Sequence, residues 1–362
     1  MSEVARGRPW LTDFSGIEGA PSGMLGPREA SLLYYLARDR FAGYGEIIDA
    51  GAFLGSSAYC LAKGLDENAR VQNKSGRLHS YDLFHLWTEP GVSQTDMSEF
   101  LKRTYGIDTA GQESTFHIYS RNLGALARHV RIHQGDILQE QWTGRPIEIL
   151  FIDICKTRPI WQHVIRIFFK SLIPGVSIVV HQDWHHTALP YLHVAQEYMA
   201  EYFEILEPKA DDSAAFRLID RIPDNVIEAA AAYRFSNQEQ IALVDRAIRR
   251  FEGSSRFLKL LKAELLRQQG QAREALAFVE DTYVGHGEAM TEQEQIYFAG
   301  CVDGTATAAA RDLARAGNTI GFDASKYLAR RPEVAADIAS SKFDSAFHHY
   351  IRFNARDYLA QT

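Results

Sequence analysis

Short apolar runs alternate with helical segments over residues 26–184, and no other feature of the chain constrains its fold as strongly. Strand-like runs begin at Glu46, Arg77, Val130 and Ile147, and a further one lies within 176–184. Several segments between them place apolar residues at helical spacing. Runs that are apolar along their whole length are typical of parallel strands covered by helices on both faces. The sequence therefore predicts an α/β fold with a Rossmann-like, doubly wound, mostly parallel sheet.

The composition changes near residue 223, and a chain of 362 residues favours two domains. Beyond about Val226, strand signals disappear, and alanine, leucine and charged residues follow at helical spacing. We therefore expect one domain at 1–222 and an all-α domain at 223–362. One helical pair in the second domain resembles a tetratricopeptide-type hairpin, but a solenoid needs about three such units. The role of the second domain stays open between packing or dimerisation and recognition of a substrate or partner.

Charge and cysteine content exclude several classes of protein. The formal net charge is −7, from 39 basic and 46 acidic residues, which argues against nucleic acid as a partner. Cys60, Cys155 and Cys301 follow no metal-site or disulfide spacing, which is typical of reduced thiols in the cytoplasm. The first 16 residues lack a signal-peptide core, and no apolar run reaches ~18 residues. We expect a cytoplasmic protein that is neither exported nor membrane-spanning.

A glycine turn, Asp49-Ala50-Gly51-Ala52-Phe53-Leu54-Gly55, joins the first strand to a helix. The dinucleotide fingerprint G-x-G-x-x-G is incomplete, because Phe53 stands where the pyrophosphate-facing glycine would be. A P-loop is excluded, since no Gly-Lys-Ser/Thr follows. The turn favours a ligand with a cationic amino acid portion and no phosphate, with Asp49 beside it. The alternative, that Gly51 and Gly55 only permit close packing of strand and helix, stays open on this turn alone.

Two further strand ends carry polar residues. Asp82 ends the second strand, at the position where a ribose diol sits in a doubly wound fold. Gly135 and Asp136 follow the next strand and offer a third contact, for the edge of an adenine ring. Three strand ends that each carry Gly or Asp are more than packing requires, so the sequence predicts a nucleoside-type ligand at this edge.

Five segments in this order resemble class I S-adenosylmethionine-dependent methyltransferases: IIDAGAFLGSSAYCLAKGL, LHSYDLF, IHQGDI, IEILFIDICK and LIPGVSIVVHQDW. More narrowly, they are similar to the metal-dependent small-molecule O-methyltransferases, including those acting on catechols, sugars and secondary metabolites. The resemblance covers roughly residues 25–222. It implies nothing for residues 224–362.

The resemblance implies how the cofactor S-adenosylmethionine would be held. Asp49 and Gly51 would line its methionine end, Asp82 would accept hydrogen bonds from the ribose hydroxyls, and Asp136 would face the adenine. Phe84 would stack near the nucleoside, or else be a core aromatic. The full set of implied cofactor-binding residues is Asp49, Ala50, Gly51, Phe53, Ser57, Asp82, Leu83, Phe84, Gly135, Asp136 and Asp153.

A second cluster, in FIDICK and HQDWHH, indicates a catalytic site. Asp153 and Asp183 each follow a buried strand, and two carboxylates converging there would hold a hard cation such as Mg²⁺. The resemblance places Lys156 beside the acceptor hydroxyl, where a lysine with a depressed pKa can act as the base. Gln182 replaces an acid usual in the resembled enzymes and brings no charge, which leaves the metal open. The predicted metal ligands are Asp153, Gln182 and Asp183.

The histidines nearby offer alternatives to this arrangement. His181, His185 and His186 would act as the base, shift the metal preference, or simply pack. The predicted catalytic residues are Lys156, Asp153, His181 and His185. Trp184 and Trp87 are candidate walls of an acceptor pocket, Trp161 is a candidate core residue, and residues 88–117 form a candidate lid with one helix.

These features predict an S-adenosylmethionine-dependent O-methyltransferase that acts on a small-molecule hydroxyl, assisted by a divalent cation and assembled as a homodimer. One alternative is a catalytically degenerate scaffold of the same fold, with a helical partner-binding domain. Another is a nicotinamide-dependent oxidoreductase, which Phe53 disfavours. Methylation of nucleic acid is disfavoured by the net acidic charge.

Overall fold

The computed structural model describes residues 7–86, 94–109, 114–185, 189–251, 257–279, 281–282, 324–340 and 346–350. Trp87, His186, Cys301 and parts of the candidate lid (residues 88–93 and 110–113) lie outside the described residues. The chain divides into two compact units. The first comprises Met1–Thr187 with Tyr198–Arg234, and the second Ala188–Glu197 with Phe235–Thr362.

The first unit is built on a seven-stranded sheet in the order β3-β2-β1-β4-β5-β7-β6. Its strands are β1 (Glu46–Ala50), β2 (Leu78–Asp82), β3 (Val130–Gln134), β4 (Ile147–Ile152), β5 (Ile178–His181), β6 (Phe203–Ala210) and β7 (Ser213–Leu218). Strands β1 to β5 pair in parallel, whereas β7 runs antiparallel to both β5 and β6. The predicted Rossmann-like, doubly wound, mostly parallel sheet is confirmed.

Helices flank this sheet in the first unit. They are α1 (Pro27–Tyr35), α2 (Ser56–Glu67), α3 (Gln94–Tyr105), α4 (Phe116–Leu123), α5 (Arg158–Phe168) and α7 (Asp224–Ala232). The second unit contains α6 (Pro190–Tyr198, except its last residue), α8 (Asn237–Arg250), α9 (Phe257–Gln268), α10 (Ala272–Val279), α11 (Ala324–Arg330), α12 (Pro332–Ala339) and α13 (Ala346–His349). None of the helices in the described ranges combines the length and apolarity that a membrane crossing requires.

The central strands are buried on both faces, as their sequences require. Every residue of β1, β4 and β5 is buried. Ile47 and Ile149 pack in one core cluster with residues of α1 and α2, and successive side chains of a strand point to opposite faces. Each strand therefore needs apolar residues on both of its faces, which is why these strands are mostly apolar apart from a few buried polar residues such as Asp49 and Glu148.

A buried carboxylate fixes the entry to β1. Glu148 in β4 is 2% exposed, and its side chain accepts hydrogen bonds from the backbone N–H groups of Ala42, Tyr44 (2.8 Å) and Gly45 (3.2 Å). A charged acceptor satisfies these donors better than a neutral one. The contact holds the backbone just before β1 against β4.

The second unit contains a buried carboxylate that is held by two arginines. Glu197 of α6 is fully buried, and it accepts hydrogen bonds from Arg246 Nε at 3.0 Å and Arg250 Nη1 at 2.8 Å. Both arginines lie on α8, four residues apart and therefore on one face of that helix. A buried carboxylate is tolerated only with such partners, so this contact ties α6 to α8.

We predict that Glu197→Ala destabilises the protein. The substitution leaves two arginines without their carboxylate in a partly buried setting, and we expect a loss of about 2–4 kcal/mol in the free energy of unfolding. Urea denaturation measures the loss. Glu201→Ala, at an exposed position, is the control and should change the value by no more than about 0.5 kcal/mol. Equal effects of the two substitutions would contradict the prediction.

Candidate active site at the carboxyl edge of the sheet

The glycine turn after β1 brings the ends of three strands together. Gly51 has φ of +106°, and its N–H donates to the carbonyl oxygen of Tyr81 in β2 at 2.9 Å. A Cβ at this position would lie 2.7 Å from the carbonyl carbon of Asp153, just beyond β4. Only glycine fits, both because φ is positive and because the neighbouring backbone leaves no room. The predicted role of Gly51 in close backbone approach thus has a direct physical basis.

Asp82 holds the backbone of two turns. Its Oδ2 accepts from the N–H of Phe53 at 2.8 Å, and its Oδ1 accepts from the N–H of Phe84 at 2.6 Å. Phe53 and Phe84 have φ of +43° and +50°, a region that costs energy for aromatic residues and persists only when other contacts enforce it. Burial raises the pKa of Asp82, although the two N–H donors oppose that shift. Each carboxylate oxygen keeps a further lone pair for a ligand hydroxyl.

Asp49 is a buried carboxylate beneath the turn. It is fully buried in β1, and its Oδ2 accepts a hydrogen bond from Ser80 Oγ at 3.0 Å. Its Oδ1 has no hydrogen-bond partner among the residues that the structure describes. Burial raises the pKa of Asp49 to about 7, against the opposing effect of the hydroxyls of Ser57 and Ser80. Such a group favours a cation bound nearby, because the cation would stabilise its charged form.

Lys156 lies between the two carboxylates of the second cluster. Its Nζ donates to Asp153 Oδ1 and to Asp183 Oδ2, each at 2.7 Å. The side chain of Asp183 is 3% exposed, that of Asp153 is 20% exposed and that of Lys156 is 30% exposed. Burial alone would lower the pKa of Lys156, but attraction to both carboxylates outweighs it and raises that pKa. The predicted role of Lys156 as the base requires a depressed pKa, so this arrangement argues against that role.

The predicted metal ligands do not fit a divalent cation in this arrangement. A cation shared by Asp153 and Asp183 would need the position that Lys156 Nζ takes. Gln182, also predicted as a ligand, is 5% exposed and brings no charge. Within the described ranges, no group of three or more His, Cys, Asp or Glu side chains is arranged to hold a metal ion.

The predicted catalytic histidines lie in packed surroundings. The His181 ring lies within an aromatic cluster, with ring centroids 5.3 Å from Trp161, 5.4 Å from Trp184 and 5.7 Å from Phe216. His185 is 3% exposed, its Nε2 lies 2.7 Å from the carbonyl oxygen of Pro208, and burial lowers its pKa to about 4. These contacts argue against both histidines as the base. Trp184, a candidate pocket wall, is fully buried in the same cluster.

The remaining predicted cofactor residues surround the strand ends. The N–H of Gly135 donates to the carbonyl oxygen of Asp82 at 3.0 Å, which brings the end of β3 to the same edge. Asp136 is exposed, and its Oδ1 accepts from the N–H of Leu138 at 3.0 Å. Leu83 is 50% exposed, whereas Ala50 is fully buried.

The candidate lid is tied to the glycine turn through apolar contacts. Leu101 of α3 packs in one buried cluster with Leu54 of the turn, Leu86 after β2 and Ile118 of α4. The predicted helix of this segment is therefore present as α3. Through this cluster, α3 packs near the turn that follows β1.

Two residues of the site escaped the sequence analysis. Ser80 lies opposite Asp49 in the parallel register of β1 and β2, and Tyr119 of α4 is buried with its ring centroid 4.7 Å from that of Phe84. Ser80 was detectable, because it stands two residues before Asp82 and therefore on the same face of the strand. Tyr119 could not be found in this way, because it lies on a helix after the candidate lid and has no fixed spacing from any strand end.

A family model matches the part of the chain that runs from within β1 to just beyond β5. Residues 48–182 match a family model described as a methyltransferase domain. This match confirms the predicted resemblance to S-adenosylmethionine-dependent methyltransferases over that part of the chain. No curated protein gives a significant sequence match.

Solved structures give distant likenesses. The chain is similar to the O-methyltransferase NovP at 16% identity, over 55% of this chain and 82% of that one, with a TM-score of 0.41. It is also similar to the calicheamicin methyltransferase CalS11 at 15% identity, over 53% of this chain and 77% of that one, with a TM-score of 0.38. At these TM-scores the likenesses add nothing to the fold described above.

We predict that Asp49→Asn stabilises the protein at neutral and higher pH. The pKa of Asp49 is raised from 3.8 to about 7, so the folded state holds this proton more tightly than the unfolded chain does. The free energy of unfolding of the wild type should therefore fall as the pH rises from about 4 to about 7. The asparagine variant lacks this loss and should be more stable above that range by about 2–4 kcal/mol.

Urea denaturation at pH 5 and pH 8 measures this difference. The control is Asp136→Asn, because Asp136 is an exposed carboxylate at a neighbouring strand end. The advantage of Asp49→Asn should grow between the two pH values, whereas that of Asp136→Asn should not. A pH-independent effect at Asp49 would contradict the prediction.

Proposed function

This chain carries a methyltransferase domain at residues 48–182, and we propose that it transfers a methyl group from S-adenosylmethionine to a hydroxyl of a small molecule. The observation that carries the proposal is the buried carboxylate of Asp49 beside Gly51, where the ends of β1, β2 and β4 meet. One of its oxygens has no hydrogen-bond partner within the described part of the chain. A ligand with a cationic amino acid portion fits that environment.

The residues at this edge support binding of the amino acid portion, the ribose and the base of the proposed cofactor. The negative charge of Asp49, in low-dielectric surroundings, attracts an ammonium group beside the turn. Asp82 has lone pairs free for the two ribose hydroxyls, and the exposed Leu83 beside it offers apolar surface to the base. When bound, S-adenosylmethionine supplies a methyl group on a positively charged sulfur, which makes that carbon an electrophile.

Asp153 is the residue that we propose meets the acceptor. Of the two carboxylates that Lys156 bridges, Asp153 is the more exposed, at 20% against 3% for Asp183. Its Oδ1 is held by Lys156, so the carboxylate is fixed in orientation. In that position it accepts a hydrogen bond from the acceptor hydroxyl and takes up its proton, which aligns the oxygen and raises its nucleophilicity.

Two other functions remain as alternatives. A degenerate scaffold is favoured by Gln182 and by the engagement of both carboxylates with Lys156, and it predicts no binding of the cofactor. The oxidoreductase is opposed by Phe53, whose N–H is already held by Asp82. The homodimer, the cytoplasmic location and the identity of the acceptor as a phenol, sugar or secondary metabolite stay predictions.

Calorimetric titration of the full chain tests the proposed function. We expect S-adenosylmethionine and S-adenosylhomocysteine to bind with a Kd in the micromolar range or below, and NADH not to bind. Asp82→Ala should weaken both by at least about tenfold, because it removes an acceptor for the ribose hydroxyls and frees the turn at Phe53. Asp224→Ala, which removes a carboxylate that is 67% exposed, is the control and should leave the Kd unchanged.

The outcomes separate the three functions. Binding of NADH without either sulfur compound would favour the oxidoreductase. Binding of none of them, by a protein shown to be folded by circular dichroism, would favour the scaffold. If the sulfur compounds bind, methyl transfer to catechol and sugar acceptors is the next measurement.

A further inference from the structure

Asp153 and Asp183 are two carboxylates that lie close together and repel each other when both are charged. Asp153 directly follows β4 and Asp183 lies two residues beyond β5, and these strands pair in parallel. Their carboxyl ends therefore meet at one edge, and the two carboxylates converge there. Asp183 is almost completely buried, so its charge cannot be balanced by water. A positive charge between the two groups would stabilise both carboxylates.

The turn after β4 brings a lysine to that position. The N–H of Asp153 donates to the carbonyl oxygen of Ala50, and the N–H of Lys156 donates to that of Ile154, both at 2.8 Å. The tight turn that results folds the chain back before α5 begins at Arg158. Lys156 therefore returns to the strand edge, and its Nζ reaches both carboxylates at 2.7 Å.

We propose that Lys156 permanently supplies the positive charge that a divalent cation supplies in the resembled O-methyltransferases, so that this site works without a bound metal. The proposal rests on the proposed function, since it concerns the acceptor side of the same site. In it Lys156 is a positioning residue: its ammonium fixes Asp153 towards the acceptor and balances Asp183.

The burial of Asp183 opposes replacement of the Lys156 ammonium by a metal ion. Asp183 Oδ1 finds no hydrogen-bond partner among the described residues, whereas its Oδ2 accepts from the ammonium of Lys156. Mg²⁺ would need near-octahedral oxygen ligands and room for several waters. Around Asp183 the neighbours Gln182, Trp184 and His185 are all buried, which leaves little room for hydration. Displacing Lys156 would also leave its ammonium without its two partners.

Lys156→Met is the variant that tests the proposal. Methionine keeps most of the side-chain volume and removes the charge, so the two carboxylates become free to bind a cation. We probe the full chain, after EDTA treatment, with Mn²⁺ by electron paramagnetic resonance and with thermal unfolding. The wild type should not bind Mn²⁺ at the site below about 1 mM, and Lys156→Met should bind it at least about tenfold more tightly. Its Tm should be lower than that of the wild type and should rise again with Mn²⁺.

Two further variants make this result specific. Lys170→Met removes a lysine whose Nζ donates to the half-exposed Glu228 at 2.8 Å, and it should gain no Mn²⁺ affinity. The double variant Lys156→Met, Asp183→Asn should lose the affinity that the single variant gains. Should Lys156→Met fail to fold, Lys156→Arg keeps the charge, and the proposal then requires it to fold and not to bind Mn²⁺.

Two results would overturn the proposal. One is Mn²⁺ binding by the wild type with a Kd below about 1 mM that Asp183→Asn abolishes. The other is a folded Lys156→Met variant with no gain in Mn²⁺ affinity. Neither readout depends on S-adenosylmethionine, so failure of the proposed function, seen in the cofactor titration, is distinguishable from failure of this one.

Discussion

The site depends on three backbone hydrogen bonds that continue past the ends of the parallel strands. Asp153 is tied to Ala50, Gly51 to Tyr81, and Gly135 to Asp82, at 2.8 to 3.0 Å. These bonds hold the ends of four strands at one level. Side chains that are far apart in the chain therefore meet there, and the missing side chain at position 51 lets β1 and β4 approach. The sheet thus determines where the carboxylates lie before any of them contacts a ligand.

Four acidic side chains therefore lie at one edge of the sheet, and they are balanced in three different ways. Asp82 is satisfied by backbone N–H groups, and Asp183 and Asp153 by an ammonium. Asp49 and Asp183 each retain one buried oxygen without a hydrogen-bond partner in the described residues, and burial raises the pKa of Asp49 to about 7. Unpaired charge is costly in a protein interior, and it tends to be kept where a ligand completes it. Asp49 Oδ2 accepts only from the neutral hydroxyl of Ser80 in the contacts described above, and Asp49 is therefore the carboxylate to which we assign a cationic ligand.

The sequence predicted most of the sheet, because its central strands are buried on both faces and are mostly apolar. It did not identify the hairpin of β6 and β7. That hairpin includes half-exposed residues and a charged turn at Asp211, which has φ of +50°, so its pattern is mixed. The polar residues at strand ends were recognisable one by one. Their partners were not, because hydrogen bonding and burial depend on neighbouring strands: only the three-dimensional arrangement sets Lys156 between two carboxylates and buries His181 among aromatic rings.

The second compact unit is not contiguous in the chain, and this bears on how such a protein could be divided. Residues 188–197, which lie between β5 and β6 in sequence, belong to the same unit as the helices after residue 234. Glu197 in that short segment has its two arginines on α8. A fragment that ends after β7 would keep the buried carboxylate of Glu197 but lose both of the arginines that bind it. The second unit therefore includes a segment from between β5 and β6 and is not a simple C-terminal fusion.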